Sequence, residues 1–168
     1  MVHRQALIPA VLTCLLLLCG CVSTTRVGIL SAMDKNNDLG IKGTLVAGGG
    51  LRDGKNAFLL SVKGSGGMDP VNEAPAGTVA GGIEYIRYRA KTGFRFGFFA
   101  GPTYSEKEIG TRVEVNAGIF EYFRGTMRPF GGLALDLSIG YVPGELPFSG
   151  FWYGVGLTYQ YDHLFGQE

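Results

Sequence analysis

Alternation of apolar residues with polar or small residues dominates the chain after residue 21. In residues 133–141, Leu, Leu, Leu, Ile and Tyr occupy the odd positions, whereas Ala, Asp, Ser and Gly occupy the even positions. Residues 94–101, 112–119 and 151–161 follow the same rule. Because successive side chains of a β-strand point to opposite faces, this period of two predicts strands with one apolar and one polar face.

Four segments with weaker alternation bring the predicted number of strands to eight: residues 26–33, 41–51, 57–63 and 78–89. In the last of these, Ile86 breaks the alternation, which suggests a β-bulge. Gly is unusually frequent, at 28 of 168 residues, and the chain contains 11 Phe and 8 Tyr. Few segments repeat apolar residues at the spacing of an α-helix. We therefore expect an all-β chain in which backbones pack closely.

The predicted connections are alternately longer and shorter, at residues 34–40, 52–56, 64–77, 90–93, 102–110, 125–129 and 142–150. All six prolines after residue 21 fall in these connections or at strand ends, where a missing N–H costs no ladder hydrogen bond. Eight strands with such connections resemble the small outer-membrane β-barrels of Gram-negative bacteria. The resemblance implies an eight-stranded antiparallel up-and-down transmembrane β-barrel at residues 26–161, followed by a tail at residues 162–168.

The last predicted strand also resembles the assembly signal of that family, a Gly followed by two aromatic residues at fixed spacing. Gly156, Tyr159 and Tyr161 match it. The match implies that the barrel-assembly machinery is a partner of this chain.

The first 20 residues have the layout of a secretory signal peptide. Basic residues His3 and Arg4 precede an apolar run at residues 6–18. This run is shorter than the ~20 residues that a spanning helix needs.

The segment that ends in Cys21, Leu-Cys-Gly-Cys, resembles the lipobox of bacterial lipoproteins. The resemblance implies that the lipoprotein-processing machinery removes residues 1–20 and that Cys21 carries a diacylglycerol and fatty acyl chains such as palmitate. Residues 21–25 would then be a tether. Val22, rather than Asp, follows the cysteine, which resembles the sorting of lipoproteins to the outer membrane. Cys14 and Cys19 would leave with the signal peptide, so we expect neither a disulfide within the mature chain nor a thiolate metal site.

Charged residues recur on the faces opposite the apolar ones. If the apolar faces meet lipid, the barrel interior collects the following set: Lys42, Lys63, Glu84, Arg95, Arg112, Glu114 and Asp136. Buried charges need partners. We therefore expect an ion-pair and hydrogen-bond network that fills the barrel. The alternative, a polar conduction path, has little room in eight strands.

Motifs for catalysis are absent from the sequence. His163 is the sole histidine after residue 20 and no Ser flanks it, which argues against the Ser–His chemistry of barrel enzymes that modify lipid A. Residues 34–38 resemble the start of a calcium loop, but the Gly and closing Glu are missing. Removing Arg4 leaves 14 Lys+Arg against 14 Asp+Glu, so no basic surface favours nucleic acid. We therefore expect that the protein is not an enzyme and that it binds no cofactor or metal.

The sequence therefore predicts a non-enzymatic outer-membrane lipoprotein with a structural, adhesive or surface-binding role through its extracellular loops. Its partners would be outer-membrane lipids, and the residue types identify no external ligand. The connection at residues 64–77, with Asp69 and Glu73, is the best candidate for an external contact. The alternatives are a tethered lipocalin-like carrier of a hydrophobic ligand, a lipid A-modifying enzyme and a narrow channel. Alternation alone does not decide which face points outward, and a carrier would have the opposite orientation.

Overall fold

Eight antiparallel strands account for most of the chain. The computed structural model describes residues 22–33, 39–68, 75–105, 108–123, 130–144 and 149–164. The strands are β1 (Val22–Met33), β2 (Leu39–Asp53), β3 (Asn56–Met68), β4 (Pro75–Tyr88), β5 (Thr92–Ser105), β6 (Glu108–Tyr122), β7 (Phe130–Val142) and β8 (Gly150–Leu164). Each strand pairs with the next and β8 pairs with β1, so the sheet closes into an up-and-down barrel. The predicted fold class is confirmed.

The strand register sets the shape of the barrel. Following paired residues from Val22 through all eight strands leads back to β1 at Ala32, ten residues beyond the start. Eight strands with this stagger tilt by roughly 40° and enclose a space just wide enough for side chains. We call the end where β1 begins and β8 ends the termini end, and the opposite end the loop end.

The apolar faces of all eight strands point outward. Ile41, Phe58 and Phe151 are each 66% exposed, and large apolar side chains cover the outer surface from β1 to β8. Most charged residues in the middle of the strands point inward and are buried. This orientation is the reverse of that of a soluble carrier barrel, whose interior is apolar. No helix in the described ranges is long and apolar enough to cross a membrane.

The strands are longer than the alternation predicted. β1 begins at Val22, within the expected tether, and β8 ends at Leu164, within the expected tail. The expected connections at 64–77 and 102–110 are largely strand, since β3 reaches Met68 and β5 pairs with β6 as far as Ser105 opposite Glu108. The strict alternation of long and short connections is therefore wrong. Backbone pairing continues through glycine- and serine-rich segments because ladder hydrogen bonds do not require an apolar side chain.

Two local predictions on β4 and β5 are wrong. Ile86 does not mark a bulge: it continues the inward row, is fully buried and pairs with Ala57 and Arg95 in unbroken register. Pro102 lies inside β5, not in a connection. Thr78 and Gly81 on β4 have paired residues on β5, but the two residues between them, opposite this proline, do not. Such a lapse is expected where a backbone N–H is missing.

The interior also holds large apolar side chains, which the expectation of a small and polar inner face did not include. A cluster packs inside the barrel and includes most of the buried aromatic residues: Val22, Ala57, Leu59, Ile86, Tyr88, Phe120, Tyr122 and Ala134. Two smaller clusters surround Trp152 and Phe99. These side chains fill space between the charged groups, and the rings of Trp152 and Phe99 lie next to Arg112 and Lys63.

Glycines allow neighbouring strands and inward side chains to lie close together. A Cβ added at Gly50 would lie 2.7 Å from the Leu59 Cα and still closer to the Phe58 carbonyl oxygen, so backbone would have to move. At Gly81, on the outer face, a Cβ would meet nothing within 4 Å.

We expect Gly50→Ala to lower the free energy of unfolding by about 1–3 kcal/mol, because it overpacks the β2–β3 ladder. Gly81→Ala is the matched control and should change stability by less than about 1 kcal/mol. Urea titration of the purified proteins in detergent, followed by circular dichroism, measures both. Equal effects of the two substitutions would contradict the close approach at Gly50.

Candidate functional site: the polar network inside the barrel

The structure places the seven predicted interior residues on inward rows of the barrel. Six of them are buried: Lys63, Glu84, Arg95, Arg112, Glu114 and Asp136. Lys42 is half-buried. Two further charged residues, Arg26 and Asp162, are also buried inside, at 4% and 0% exposure.

Arg26 on β1 pairs with Glu84 on β4. The Arg26 Nη2 donates to Glu84 Oε1, and the Ser61 hydroxyl donates to Glu84 Oε2 at 2.6 Å. Both carboxylate oxygens therefore have a donor. The pair crosses the barrel interior, because β1 and β4 are not neighbours in the sheet.

Arg95 on β5 is the most connected residue of the network. Its Nη2 donates to both carboxylate oxygens of Asp136 at 2.5 Å and to the Thr158 hydroxyl at 3.0 Å. Its Nη1 donates to the Gln160 side chain. Thr158 in turn donates to Asp136 at 2.8 Å, so β5, β7 and β8 are joined through one guanidinium.

A third group combines Lys63 on β3 with Glu114 and Arg112 on β6. Lys63 Nζ donates to Glu114 Oε1, and Arg112 Nη2 lies 2.9 Å from Glu114 Oε2. The Arg112 guanidinium also lies 3.4 Å from the centroid of the Trp152 ring. A cation over an aromatic face is electrostatically favourable, so the Trp152 ring stabilises the charge of Arg112. The same ring also fills space inside the barrel.

Among the described residues, the side chains that donate hydrogen bonds to Asp162 on β8 are all neutral. Its Oδ2 accepts from Tyr122, from Gln160 at 2.7 Å and from Tyr88 at 3.4 Å. Within the described ranges, the other oxygen, Oδ1, has no hydrogen-bond partner, and neither does the hydroxyl of Thr24, which faces Asp162 across the β1–β8 pair. This carboxylate therefore joins the polar network to the aromatic side chains of the large apolar cluster.

The buried charges of the described residues balance. They are the cations Arg26, Lys63, Arg95 and Arg112 and the anions Glu84, Glu114, Asp136 and Asp162. A space of about 20 Å³ lies among them, which is room for about one water molecule. Beside this space, Arg26 Nε, Arg95 Nε and Asn116 Oδ1 have no hydrogen-bond partner in the described part of the chain, so one water would satisfy polar atoms there. The arrangement favours a filled interior over a conduction path.

The remaining predicted positions do not belong to the polar network described above. Cys21, residues 34–38, Asp69 and Glu73 lie outside the described residues. His163 is half-buried on the outward row of β8. In the described part of the chain, no three His, Cys, Asp or Glu side chains group to hold a metal ion.

The residues that resemble the assembly signal lie on β8. Tyr159 and Tyr161 point outward, at 46% and 41% exposure, whereas Gly156 faces the interior beside Leu30. The Tyr159 ring lies 6.4 Å from that of Phe123, centroid to centroid.

Other outward aromatic rings also touch across strands, at both ends of the barrel. At the termini end the ring centroid of Tyr85 lies 5.2 Å from Phe58 and 5.9 Å from Phe94. At the loop end Tyr141 and Phe151 are 4.8 Å apart.

A solved structure with the same fold is that of Neisserial surface protein A (NspA). The two align with a TM-score of 0.52 at 12% sequence identity, over 86% of this chain and 96% of that chain. At this identity the similarity concerns the fold. No family model matches the sequence, and no curated protein does.

The sequence pattern already contained a signal for Arg26 and Asp162. Arg26 precedes the outward Val27 by one position, and Asp162 continues the inward row of Thr158 and Gln160. Both residues fell at or beyond the expected strand ends, where apolar alternation fades. Arg26 is the first residue of the predicted strand 26–33, and extending the strand 151–161 by one residue would have included Asp162.

We expect Asp136→Leu to destabilise the barrel by about 3–5 kcal/mol, because it leaves Arg95 buried without a counter-charge. Adding Arg95→Met should recover most of the loss, since the uncompensated charge is then removed as well. Urea unfolding of the single and double variants measures the coupling. Additive losses would contradict a direct pair.

Proposed function

We propose that this chain is a non-enzymatic outer-membrane β-barrel lipoprotein, anchored through Cys21, that acts in envelope structure, adhesion or surface binding through its loop end. The observation that carries the proposal is the inverted polarity of a closed barrel. Ion pairs occupy the inside and large apolar side chains cover the outside. Exposing such an outer surface to water would be strongly unfavourable, whereas the hydrocarbon core of a bilayer solvates it well.

The dimensions of the strands support a bilayer as the surrounding medium. The strands contain 12–15 residues, against about 9–11 for a tilted strand that crosses a membrane. A closed sheet has no open strand edge toward lipid, and its ladders lapse only opposite Pro102 in the described residues. The contacting aromatic rings at the two ends correspond to the aromatic belts of membrane–water interfaces.

The position of the amino terminus supports the proposed anchor. β1 begins at Val22, directly after Cys21, so a lipid on this cysteine would lie at the termini end. With eight strands, both termini lie at one end, which would face the periplasm. The loop end would then face outward, and the name of NspA, a surface protein with the same fold, is compatible with that orientation.

The alternatives fit the interior less well. A carrier of hydrophobic ligands needs an apolar cavity, whereas this interior holds eight buried charges and their partners. A channel needs a continuous polar path, and aromatic and aliphatic side chains pack at one level of this barrel.

Lipid attachment can be tested at each cysteine separately. Cells that express the chain and are given radiolabelled palmitate should label it, and Cys21→Ser should abolish the label. Cys19→Ser is the matched control and should keep the label, because Cys19 lies in the expected signal peptide. Persistent labelling of Cys21→Ser would contradict the anchor.

Integration into the membrane can be tested without the anchor. We expect the Cys21→Ser protein to stay in outer membranes washed with carbonate, since the apolar barrel surface alone retains it. It should also migrate differently on gels before and after boiling. Release into the soluble fraction would overturn the barrel orientation and point to a tethered carrier.

A further inference from the structure

An apolar groove runs along the outer surface of β5, β6 and β7. Two adjoining depressions of about 500 and 490 Å³ form it, and they share Phe94, Ile119 and Leu135. Phe94 and Phe96 form one wall, and Leu135 and Leu137 form the other. We call this feature the β5–β7 groove.

The groove exists because one outward position carries a small side chain. Ala117 on β6 lies between Phe96 on β5 and Leu137 on β7 in the strand register. Its neighbours on the same face of β6, Val115 and Ile119, are larger. The resulting gap between two rows of large apolar side chains has the shape and polarity to hold a hydrocarbon chain.

Charged residues of opposite sign lie at the termini end of the groove. Arg89, in the β4–β5 turn, and Glu121, on β6, both line it, with Thr92 between them. Both charged side chains are exposed, and neither forms an ion pair within the described ranges.

The turn that carries Arg89 is held by backbone hydrogen bonds. The Arg89 N–H donates to the Thr92 carbonyl at 2.7 Å, and the Tyr122 N–H donates to the Lys91 carbonyl at 2.8 Å. The second bond ties the turn to β6, next to Glu121. The cation and the anion are thus presented from a rigid frame at the mouth of an apolar groove.

We propose that the β5–β7 groove binds a glycerophospholipid with a phosphoethanolamine headgroup. The phosphate meets Arg89, the primary ammonium meets Glu121 and the acyl chains lie over Ala117. This inference rests on the proposed function, since it requires that the outer surface of the barrel face a bilayer. The termini end places the lipid in the periplasmic leaflet.

The pairing of charges selects this headgroup over the other common ones. A phosphoglycerol headgroup has no ammonium to meet Glu121, so its negative charge would face a carboxylate. A choline headgroup has a cation without N–H groups, so it cannot donate the charge-assisted hydrogen bonds that a primary ammonium donates.

The experiment is native mass spectrometry of the full-length protein in detergent, with dioleoyl phosphatidylethanolamine, phosphatidylcholine or phosphatidylglycerol added at equal concentration. We expect phosphatidylethanolamine to bind about five to ten times more tightly than either of the others, the ratio that about 1–1.4 kcal/mol corresponds to. Equal retention of the three lipids would overturn the proposal.

Variants separate the site from general lipid contact. Glu121→Gln should abolish the preference for phosphatidylethanolamine, and Arg89→Gln should weaken binding of all three lipids. Arg87→Gln is the control, because Arg87 exposes a cation on β4 on the far side of Phe94, outside the groove. If it acts like Arg89→Gln, the effect is unspecific and the site is excluded.

The same samples also distinguish this inference from the proposed function. A boiled and an unboiled portion of each are compared on a gel. A mobility shift without headgroup preference overturns the lipid site alone, whereas no shift overturns the membrane barrel itself. Ala117→Phe should fill the groove and reduce phosphatidylethanolamine binding while the mobility shift persists.

Discussion

Closure of the sheet between β1 and β8 is the constraint on which the other features depend. The two strands pair over twelve positions, from Val22 opposite Leu164 to Met33 opposite Tyr153. Closure leaves no strand edge, so most backbone N–H and C=O groups pair inside the sheet and the middle of the outer face can be apolar. The stagger of ten then sets an interior that only side chains fill. Each inward residue must therefore match its neighbours in both volume and charge.

The interior meets this demand with pairs that reach across the barrel. Arg26 and Glu84 join β1 to β4, Lys63 and Glu114 join β3 to β6, and Arg95 and Asp136 join β5 to β7. None of these strand pairs is adjacent in the sheet. Desolvation offsets much of the attraction in a buried ion pair, so these contacts are weak evidence of stability. They do specify which inward rows face one another, because a strand shifted by one residue would turn a charge outward to the apolar surface.

The sequence was sufficient for the number of strands and for which residues share a face, because a period of two is a local property of the chain. The order of the strands was implied by the resemblance to small outer-membrane barrels. Strand ends were less predictable, since segments rich in Gly and Ser pair without apolar alternation, as in the last third of β3. The role of Asp162 was missed because it follows the last strong alternation. The partners of each buried charge also could not be predicted. Which rows oppose each other inside depends on the stagger of the whole barrel, and no single segment contains that information.

The two faces of the barrel differ in how they constrain sequence change. On the outer face, Val27 and Ile83 are 56% and 61% exposed, so another apolar residue of different shape would serve as well. On the inner face, Arg95 contacts three side chains in one geometry, and few substitutions preserve all of them. Roughly half of each strand is thus free to drift within one chemical class. A barrel built in this way keeps its architecture while its sequence diverges, which accounts physically for a shared fold with NspA at 12% identity.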